Sequence, residues 1–340
     1  MAKITIREIL DKELWENFLA GHPEANFLHS WYWGEFQKQI GREAIRVGFY
    51  SNGKLLGIML SIVEPAKRAR HLIMPGGPIL DWNNKELTTS FGKEIRNLGK
   101  IHNCVFARVR PQLENNDFSQ NIFRKVGFSK APMYLHAELT SQLDIKKREE
   151  DLLANMRKAT RYEIKKALSL GIQIETNGEK NIKDFYKLQT ETAKRQGFVP
   201  FSKKFLETQF DVFIKNNKAI FYTAKYKRKI LAQAFIIFYG AEAVYHYGAS
   251  TEFGRKYPGS YLIQWEAIRE AKKRGQGRYN LWGVSPENSS DHRFKGLSLF
   301  KRGFGGHDVQ YLQAQDLVIS TPRYLANYLF ETVRRRLRRS

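Results

Sequence analysis

Two stretches of the chain repeat one arrangement of apolar and turn-forming positions. In the first, Phe49-Tyr50 and the run Lys54-Leu55-Leu56-Gly57-Ile58-Met59-Leu60-Ser61-Ile62 flank Asn52-Gly53. β-formers on both sides of such a dipeptide predict a hairpin. In the second, Phe221-Tyr222-Thr223-Ala224 and Lys229-Ile230-Leu231-Ala232-Gln233-Ala234-Phe235-Ile236-Ile237 flank a basic turn, with Lys229 at an offset of 175 from Lys54. A second pair repeats the spacing: Ile122-Phe123-Arg124-Lys125-Val126-Gly127-Phe128 resembles Leu299-Phe300-Lys301-Arg302-Gly303-Phe304, at an offset of 177 from Phe123 to Phe300. The order and spacing predict a duplicated unit; chance similarity of short apolar hairpins is the alternative.

Helical and extended patterns fill in each copy. A helix is expected near Leu87–Gly99 with a strand at Cys104–Val109, and later a helix at Tyr261–Arg274 with a strand at Tyr279–Val284. Each unit thus reads as helix, hairpin, helix, strand and a short helix into Gly-Phe. That order resembles the GNAT acyltransferase fold. The expected fold class is α/β with mixed sheets, as two tandem GNAT-like domains, residues 1–145 and 146–315.

One long helix is expected from Lys147 to Leu170. Leu153, Met156, Thr160, Ile164, Ala167 and Leu168 fall at helical spacing as an apolar stripe. Arg157, Arg161 and Lys165 are four apart and form a basic stripe, widened by Lys158 and Lys166. Such a stripe is either a solvated face or an anion-binding surface. A final helix starts at Ser320-Thr321-Pro322, packs through Tyr324, Leu325, Tyr328, Leu329 and Val333, and ends Arg334-Arg335-Arg336-Leu337-Arg338-Arg339. Its arginines either complement a helix C-terminus or meet tRNA or an anionic membrane.

Length and composition narrow the class. The 340 residues suit two domains, and 42% apolar content argues against disorder for the bulk of the chain. A single cysteine, Cys104, excludes a disulfide framework and cysteine-cluster metal sites, and fits a reducing compartment. The histidines show no metal-binding spacing, so no metal is expected. Charge appears early, at Lys3, Arg7 and Glu8, without the apolar run of a signal peptide. The most apolar stretch, Ile230–Ala249, contains Gln233, Glu242 and His246 and a Tyr239-Gly240 break, so it reads as two strands. The expectation is a cytoplasmic protein, peripheral to the inner membrane face. A net charge of +23 favours a polyanionic partner such as nucleic acid, anionic lipid or a pyrophosphate, with a lysine-rich soluble surface as the alternative.

Little local chemistry is legible. No Ser-His-Asp order, Walker loop or catalytic carboxylate pair appears. The loop Arg255-Lys256-Tyr257-Pro258-Gly259-Ser260 occupies the place where GNAT enzymes hold a coenzyme A pyrophosphate, but has one glycine beside a proline. In Tyr245-His246-Tyr247-Gly248-Ala249-Ser250, strand alternation places Tyr245 and Tyr247 on one face and His246 on the other. His246 reads as a core residue rather than a base.

Five segments, in order, resemble the FemABX-type aminoacyltransferases that build peptidoglycan interpeptide bridges: Ser30-Trp31-Tyr32-Trp33-Gly34-Glu35-Phe36-Gln37-Lys38; Met156–Tyr162 with Lys165-Lys166-Ala167; Thr192-Ala193-Lys194-Arg195-Gln196-Gly197-Phe198; Tyr245–Ser250; and His292 through Gly296-Leu297 to Phe300–Gly306. The resemblance implies transfer from aminoacyl-tRNA, with no cofactor, to an amine on the stem peptide of a UDP- or lipid-linked peptidoglycan precursor. It implies a compact member without a coiled-coil arm, a monomer whose final helix (about 316–340) packs back on domain 1. It makes Lys301 and Phe300 catalytic, on an active-site strand. Lys38 and Arg195 would hold the precursor's diphosphate, and Trp33, Tyr245 and Tyr247 would complete the substrate site. By the same resemblance Arg157, Arg161 and Lys165 would meet the tRNA. The sequence departs from the family at Arg110-Pro111 and at Ala314-Gln315-Asp316, so no protein carboxylate is assigned as base, and at Phe201, which stands about where the family often has an arginine for the phosphate clamp. Two alternatives stand beside this reading: a GNAT-type enzyme using another acyl donor on a cell-envelope amine, and a non-catalytic RNA- or membrane-binding protein.

Overall fold

The computed structural model describes residues 3–66, 68–197, 199–287 and 294–337. Phe198, His292, Arg338 and Arg339, named above, lie outside them. The chain forms two compact units, Met1–Glu138 with Gln310–Ser340, and Leu139–Val309. The strands in chain order are β1 (Thr5–Glu8), β2 (Glu43–Ser51), β3 (Lys54–Glu64), β4 (His71–Pro75), β5 (Ile79–Leu80), β6 (Phe106–Arg110), β7 (Ser129–Lys130), β8 (Leu139–Asp144), β9 (Gln173–Thr176), β10 (Ala219–Tyr226), β11 (Lys229–Tyr239), β12 (Glu242–Ser250), β13 (Arg278–Gly283), β14 (His307–Gln310) and β15 (Gln315–Val318). The helices are α1 (Lys12–Ala20), α2 (Trp31–Gln39), α3 (Lys85–Ile101), α4 (Asp117–Val126), α5 (Glu149–Asn155), α6 (Lys158–Ser169), α7 (Glu179–Gln196), α8 (Lys203–Lys215), α9 (Gly259–Lys273), α10 (Lys295–Arg302) and α11 (Thr321–Leu337).

The two sheets share one plan. The first runs β1-β2-β3-β4-β6-β15-β7, with β5 also on β3, and the second runs β9-β10-β11-β12-β13-β8-β14. In each, an antiparallel meander ends in one parallel pair, β4 with β6 and β12 with β13, followed by an antiparallel neighbour. That is the order of a GNAT-like domain, written twice. The two hairpins differ at their turns. Asn52-Gly53, with φ of 49° and 80°, suits the type I′ geometry that follows strand twist. Lys227 and Arg228 hold the same left-handed conformation at φ of 47° and 64°, without glycine or asparagine.

Packing follows helical spacing. On α3, Leu87, Phe91, Ile95 and Leu98 are buried against the first sheet, where Phe91 stacks on Phe128 and Phe123 meets Trp82. On α9, Leu262, Ile263, Ala267, Ile268 and Ala271 are buried in the core of the second unit. The C-terminal segment is tied into the first unit by ion pairs. Arg108 grips buried Asp316 with Nε to Oδ1 at 2.7 Å and Nη2 to Oδ2 at 2.8 Å, and its Nη2 reaches Glu331 of α11 at 2.8 Å. Tyr324 Oη donates to Asp316 Oδ2 at 3.0 Å.

Three local expectations are corrected. The helix expected over 147–170 is two, α5 and α6, because Met156 and Arg157 take extended backbone at ψ of 152° and 143°. Leu168 leaves the apolar stripe and is exposed, whereas Met156, Thr160, Ile164 and Ala167 are buried. Phe300-Lys301 lies on a helix, α10, not a strand: its apolar positions fall one helical turn apart and Ser298 Oγ bonds the Phe294 carbonyl behind it. No described helix of the second unit exceeds the 18 residues of α7.

The strained turn yields a prediction. Lys227→Asn with Arg228→Gly matches the residues to the turn and raises stability by about 1 kcal/mol. An unchanged urea midpoint would show that the turn stores no strain.

Candidate functional site

A cavity of about 850 Å³ opens within the second unit. Its origin is in the sheet. β12 pairs in parallel with β13 only at Glu242↔Arg278, Ala243↔Tyr279 and Val244↔Asn280. Beyond Val244 the two strands part, and residues 245–250 of β12 line the cavity with Trp282 of β13. α10 supplies Gly296, Leu297, Phe300 and Lys301, and α7 supplies Gln189 and Thr192.

Two bulges shape the opening. Against β11, Tyr245 is opposite Ile236 while Tyr247 is opposite Phe235, so His246 is the extra residue. This corrects the expected alternation: Tyr245, His246 and Tyr247 all line the cavity. Burial pushes the Tyr245 phenol up to about 12 and the His246 imidazole down to about 3, so both are neutral near pH 7. His246 meets the Trp282 ring edge-on at 5.7 Å. Tyr247 Oη and Gln209 Oε1 are 3.0 Å apart, the hydroxyl donating. A Cβ at Gly248 would lie 1.8 Å from Tyr245 Oη, so only glycine admits the folded-back phenol.

The second bulge is in β13, between Asn280 and Gly283. Trp282 has φ of 64°, a costly conformation for a bulky side chain. Its N–H donates to Asn280 Oδ1 at 2.9 Å, and Asn280 Nδ2 donates to buried Glu242 Oε2 at 3.2 Å. Glu242 also takes Arg278 Nε at 3.2 Å. The next carbonyl, Gly283 O, accepts from Lys301 Nζ at 2.7 Å, and that Nζ lies 5.7 Å from the Tyr245 ring. Lys301 is buried, and desolvation lowers its pKa from 10.5 to about 7. An ammonium beside an aromatic cavity, divided near neutrality between charged and neutral forms, can donate to a developing oxyanion.

The expected site residues are distributed as follows. Lys301, Phe300, Tyr245 and Tyr247 share the cavity, where Phe300 packs edge-on to Tyr261 at 4.9 Å. Arg195 is exposed at its edge, with Nη2 3.4 Å from Thr192 Oγ1 and 3.3 Å from Ser250 O. Phe201 lines the cavity and stacks on Phe205 at 4.5 Å. Lys38 and Trp33 belong to the first unit, on α2. Lys38 pairs with Glu35 at 3.4 Å and is half exposed. Trp33 is buried, edge-on to Phe27 and Phe36, so its ring braces α2 rather than offering a contact surface.

The basic stripe of α6 is partly occupied. Arg161 donates to the carbonyls of Ala154 and Met156 at the end of α5, and Arg157 Nη1 donates to Leu299 O at 3.3 Å. Lys165 is exposed. Of the departures noted, Arg110 is fully buried, donating to Gln112 Oε1 at 2.7 Å and Ala137 O at 2.9 Å. Sequence reasoning missed Trp282, Asn280 and Glu242, which carry no motif, and Arg255, which lines the cavity. No group of acidic, histidine or cysteine side chains among the described residues is arranged to hold a metal.

The loop before α9 is built around Pro258 and Gly259. Pro258 has no N–H, and its carbonyl takes the N–H groups of Tyr261 at 3.1 Å and Leu262 at 3.2 Å. A Cβ at Gly259 would lie 2.8 Å from Leu231 Cβ and 3.1 Å from Ala224 Cβ, so this glycine serves packing on the sheet. The loop thus carries a single glycine, fixed by packing on the sheet, beside a proline.

The FemAB family model matches residues 10–131, 130–230 and 218–331. The chain belongs to the FemAB family. A lipid II:glycine glycyltransferase of Staphylococcus aureus (strain USA300) is 20% identical, with 94% of each chain covered. The crystal structure of FemX superposes with a TM-score of 0.85 at 18% identity, covering 95% of this chain and 99% of that one. A tandem GNAT protein from the clavulanic acid biosynthesis pathway gives a TM-score of 0.60 at 10% identity, covering 93% and 99%. The FemAB chain is a tandem GNAT-like acyl-transfer enzyme, which replaces the non-catalytic alternative. No described helix is long and apolar enough to cross a membrane.

Asn280→Ala leaves Glu242 with one partner fewer and frees Trp282 N–H, costing about 2–3 kcal/mol by urea denaturation; a cost under about 0.5 kcal/mol would mean the bulge is held by other contacts. For Lys301, the unfolded chain keeps its proton up to about 10.5 and the folded one only to about 7. The destabilisation is complete below the lower value and relieved as pH rises toward the upper. Lys301→Met should therefore stabilise the protein at pH 7 by on the order of a few kcal/mol, an advantage that shrinks toward pH 10. A pH-independent difference in thermal midpoint would contradict the desolvated lysine.

Proposed function

We propose that this FemAB chain transfers an aminoacyl group from aminoacyl-tRNA to the stem-peptide amine of a UDP- or lipid-linked peptidoglycan precursor. The observation that carries the reading is the buried Lys301 ammonium in the cavity of the second unit, held on Gly283 O. Family membership supplies the reaction class, and the S. aureus relative, by its name, glycylates lipid II.

The chemistry needs little from the protein beyond alignment and charge. The neutral amine attacks the aminoacyl ester carbonyl, the C–N bond forms, and the C–O bond to the ribose breaks. The amine's proton ends on the ribose oxygen, carried through a substrate hydroxyl. Lys301 donates to the oxyanion of the tetrahedral intermediate. Phe300, Tyr245 and Tyr247 shape the dry side of the site around it. Arg195, Arg255 and, in the first unit, Lys38 remain exposed to take phosphates. Arg157 and Lys165 offer charge to the tRNA, with Arg161 as a brace. A net charge of +23 suits two polyanionic substrates that act as a monomer's partners at the inner membrane face. The single glycine beside Pro258, where GNAT enzymes carry a glycine-rich loop, argues against a coenzyme A donor.

Incubation with charged tRNA and a muropeptide precursor should add the mass of one aminoacyl residue to the precursor. Lys301→Met should lower turnover by about 10²–10³-fold. Absence of product with every aminoacyl-tRNA pool sinks the assignment; normal turnover of the variant removes Lys301 from it.

A further inference from the structure

We propose that the outer face of α11 is a docking surface for an anionic phospholipid bilayer. The inference stands on the helix itself and does not rest on the donor or acceptor of the reaction.

α11 has two unlike faces. Its inner face holds Tyr324, Asn327 and Glu331, bound to the first unit through Asp316 and Arg108. Its outer face presents Leu325, 53% exposed, Leu329, 65%, and Val333, 55%, one turn apart along a line. Phe330 lies beside them, with the Arg68 guanidinium over its ring at 3.5 Å. An apolar stripe of this kind normally faces a core; here it faces solvent with the whole chain folded.

The charges beside the stripe identify the occupant. Residues 321–340 contain six arginines and one glutamate. That glutamate, Glu331, is turned inward onto Arg108, so it does not offset the exposed Arg323 and Arg334. An apolar face bordered by arginine is the pattern of a helix lying in a membrane interface, its aliphatic groups among acyl chains and its guanidinium groups among phosphates. A nucleic acid would use the arginines but leave the leucines and valine wet. A second copy of the chain would cover the leucines but bring like charges together.

The test uses the full chain and sedimentation with vesicles of equal phosphatidylglycerol and phosphatidylcholine, against phosphatidylcholine alone. Wild-type protein should partition onto the anionic vesicles at least about tenfold more strongly. Leu325→Gln with Leu329→Gln leaves the net charge unchanged and should weaken that partition at least about tenfold at an unchanged thermal midpoint. Should the midpoint fall, Arg323→Gln with Arg334→Gln decides: it should weaken binding and flatten its salt dependence. The proposal is overturned if wild-type protein does not partition, or if both double variants bind as wild type does, the net charge alone then holding the protein. It is equally overturned if the glutamine pair abolishes self-association or tRNA binding while vesicle binding persists.

Discussion

The candidate site depends on where one parallel strand pair stops. β12 and β13 hold together for three residues and then separate. An unzipped pair leaves backbone groups that must find other partners. Here the partners are supplied in series. Glu242 holds Asn280, Asn280 holds the Trp282 N–H, and the resulting left-handed turn presents Gly283 O to Lys301. Each link satisfies a buried polar group and sets the geometry of the next. The strain at Trp282 persists because both neighbours are fixed, and it leaves the indole in the cavity and the carbonyl on the lysine.

The first unit shows the same topology without this opening. Its parallel pair, β4 with β6, stays in register from His71↔Phe106 to Pro75↔Arg110. At its far end the guanidinium of Arg110 fills the interior, under the Tyr311 ring at 4.9 Å. The helices after each pair have diverged in parallel. Arg124 on α4 is exposed, whereas its counterpart Lys301 on α10 is buried. One ancestral plan has thus been closed in one copy and opened in the other, and only the open copy has taken its basic residue out of water.

Elements with strong local signals were legible from the residues. The Asn52-Gly53 hairpin, the amphipathic α3 and the buried α9 each combine turn chemistry or periodicity with length, and tertiary packing agrees with both. The site was legible only as residue types. Tyr245, Tyr247, Phe300 and Lys301 were singled out, yet the bulge that turns His246 to the same cavity follows from register against β11, which strand alternation cannot encode. Trp282 in a left-handed conformation contradicts its propensity and is imposed by Asn280. Arg161 looked like part of a free basic stripe because the break at Met156 and Arg157, which opens two carbonyls for it to cap, has no proline or glycine to announce it.

The charge balance of the interior bears on the surface. Arg108 serves two carboxylates at once, Asp316 and Glu331, so this buried cluster holds an excess of negative charge. Desolvation raises the Asp316 pKa while Arg108 opposes it. The arrangement is costly unless every oxygen is bonded; Arg108 donates to all four carboxylate oxygens, and Tyr324 adds a second bond to Asp316 Oδ2. What it secures is the return of β15 and α11 to the first sheet after the whole of the second unit has intervened. Because the acidic side chain of α11 is taken up by that closure, the described part of the helix shows solvent no exposed carboxylate beside Arg323, Arg334, Leu325, Leu329 and Val333. The polarity of this surface is therefore a consequence of how the discontinuous unit is closed, and the fold's topology and its outward chemistry are set by the same ion pair.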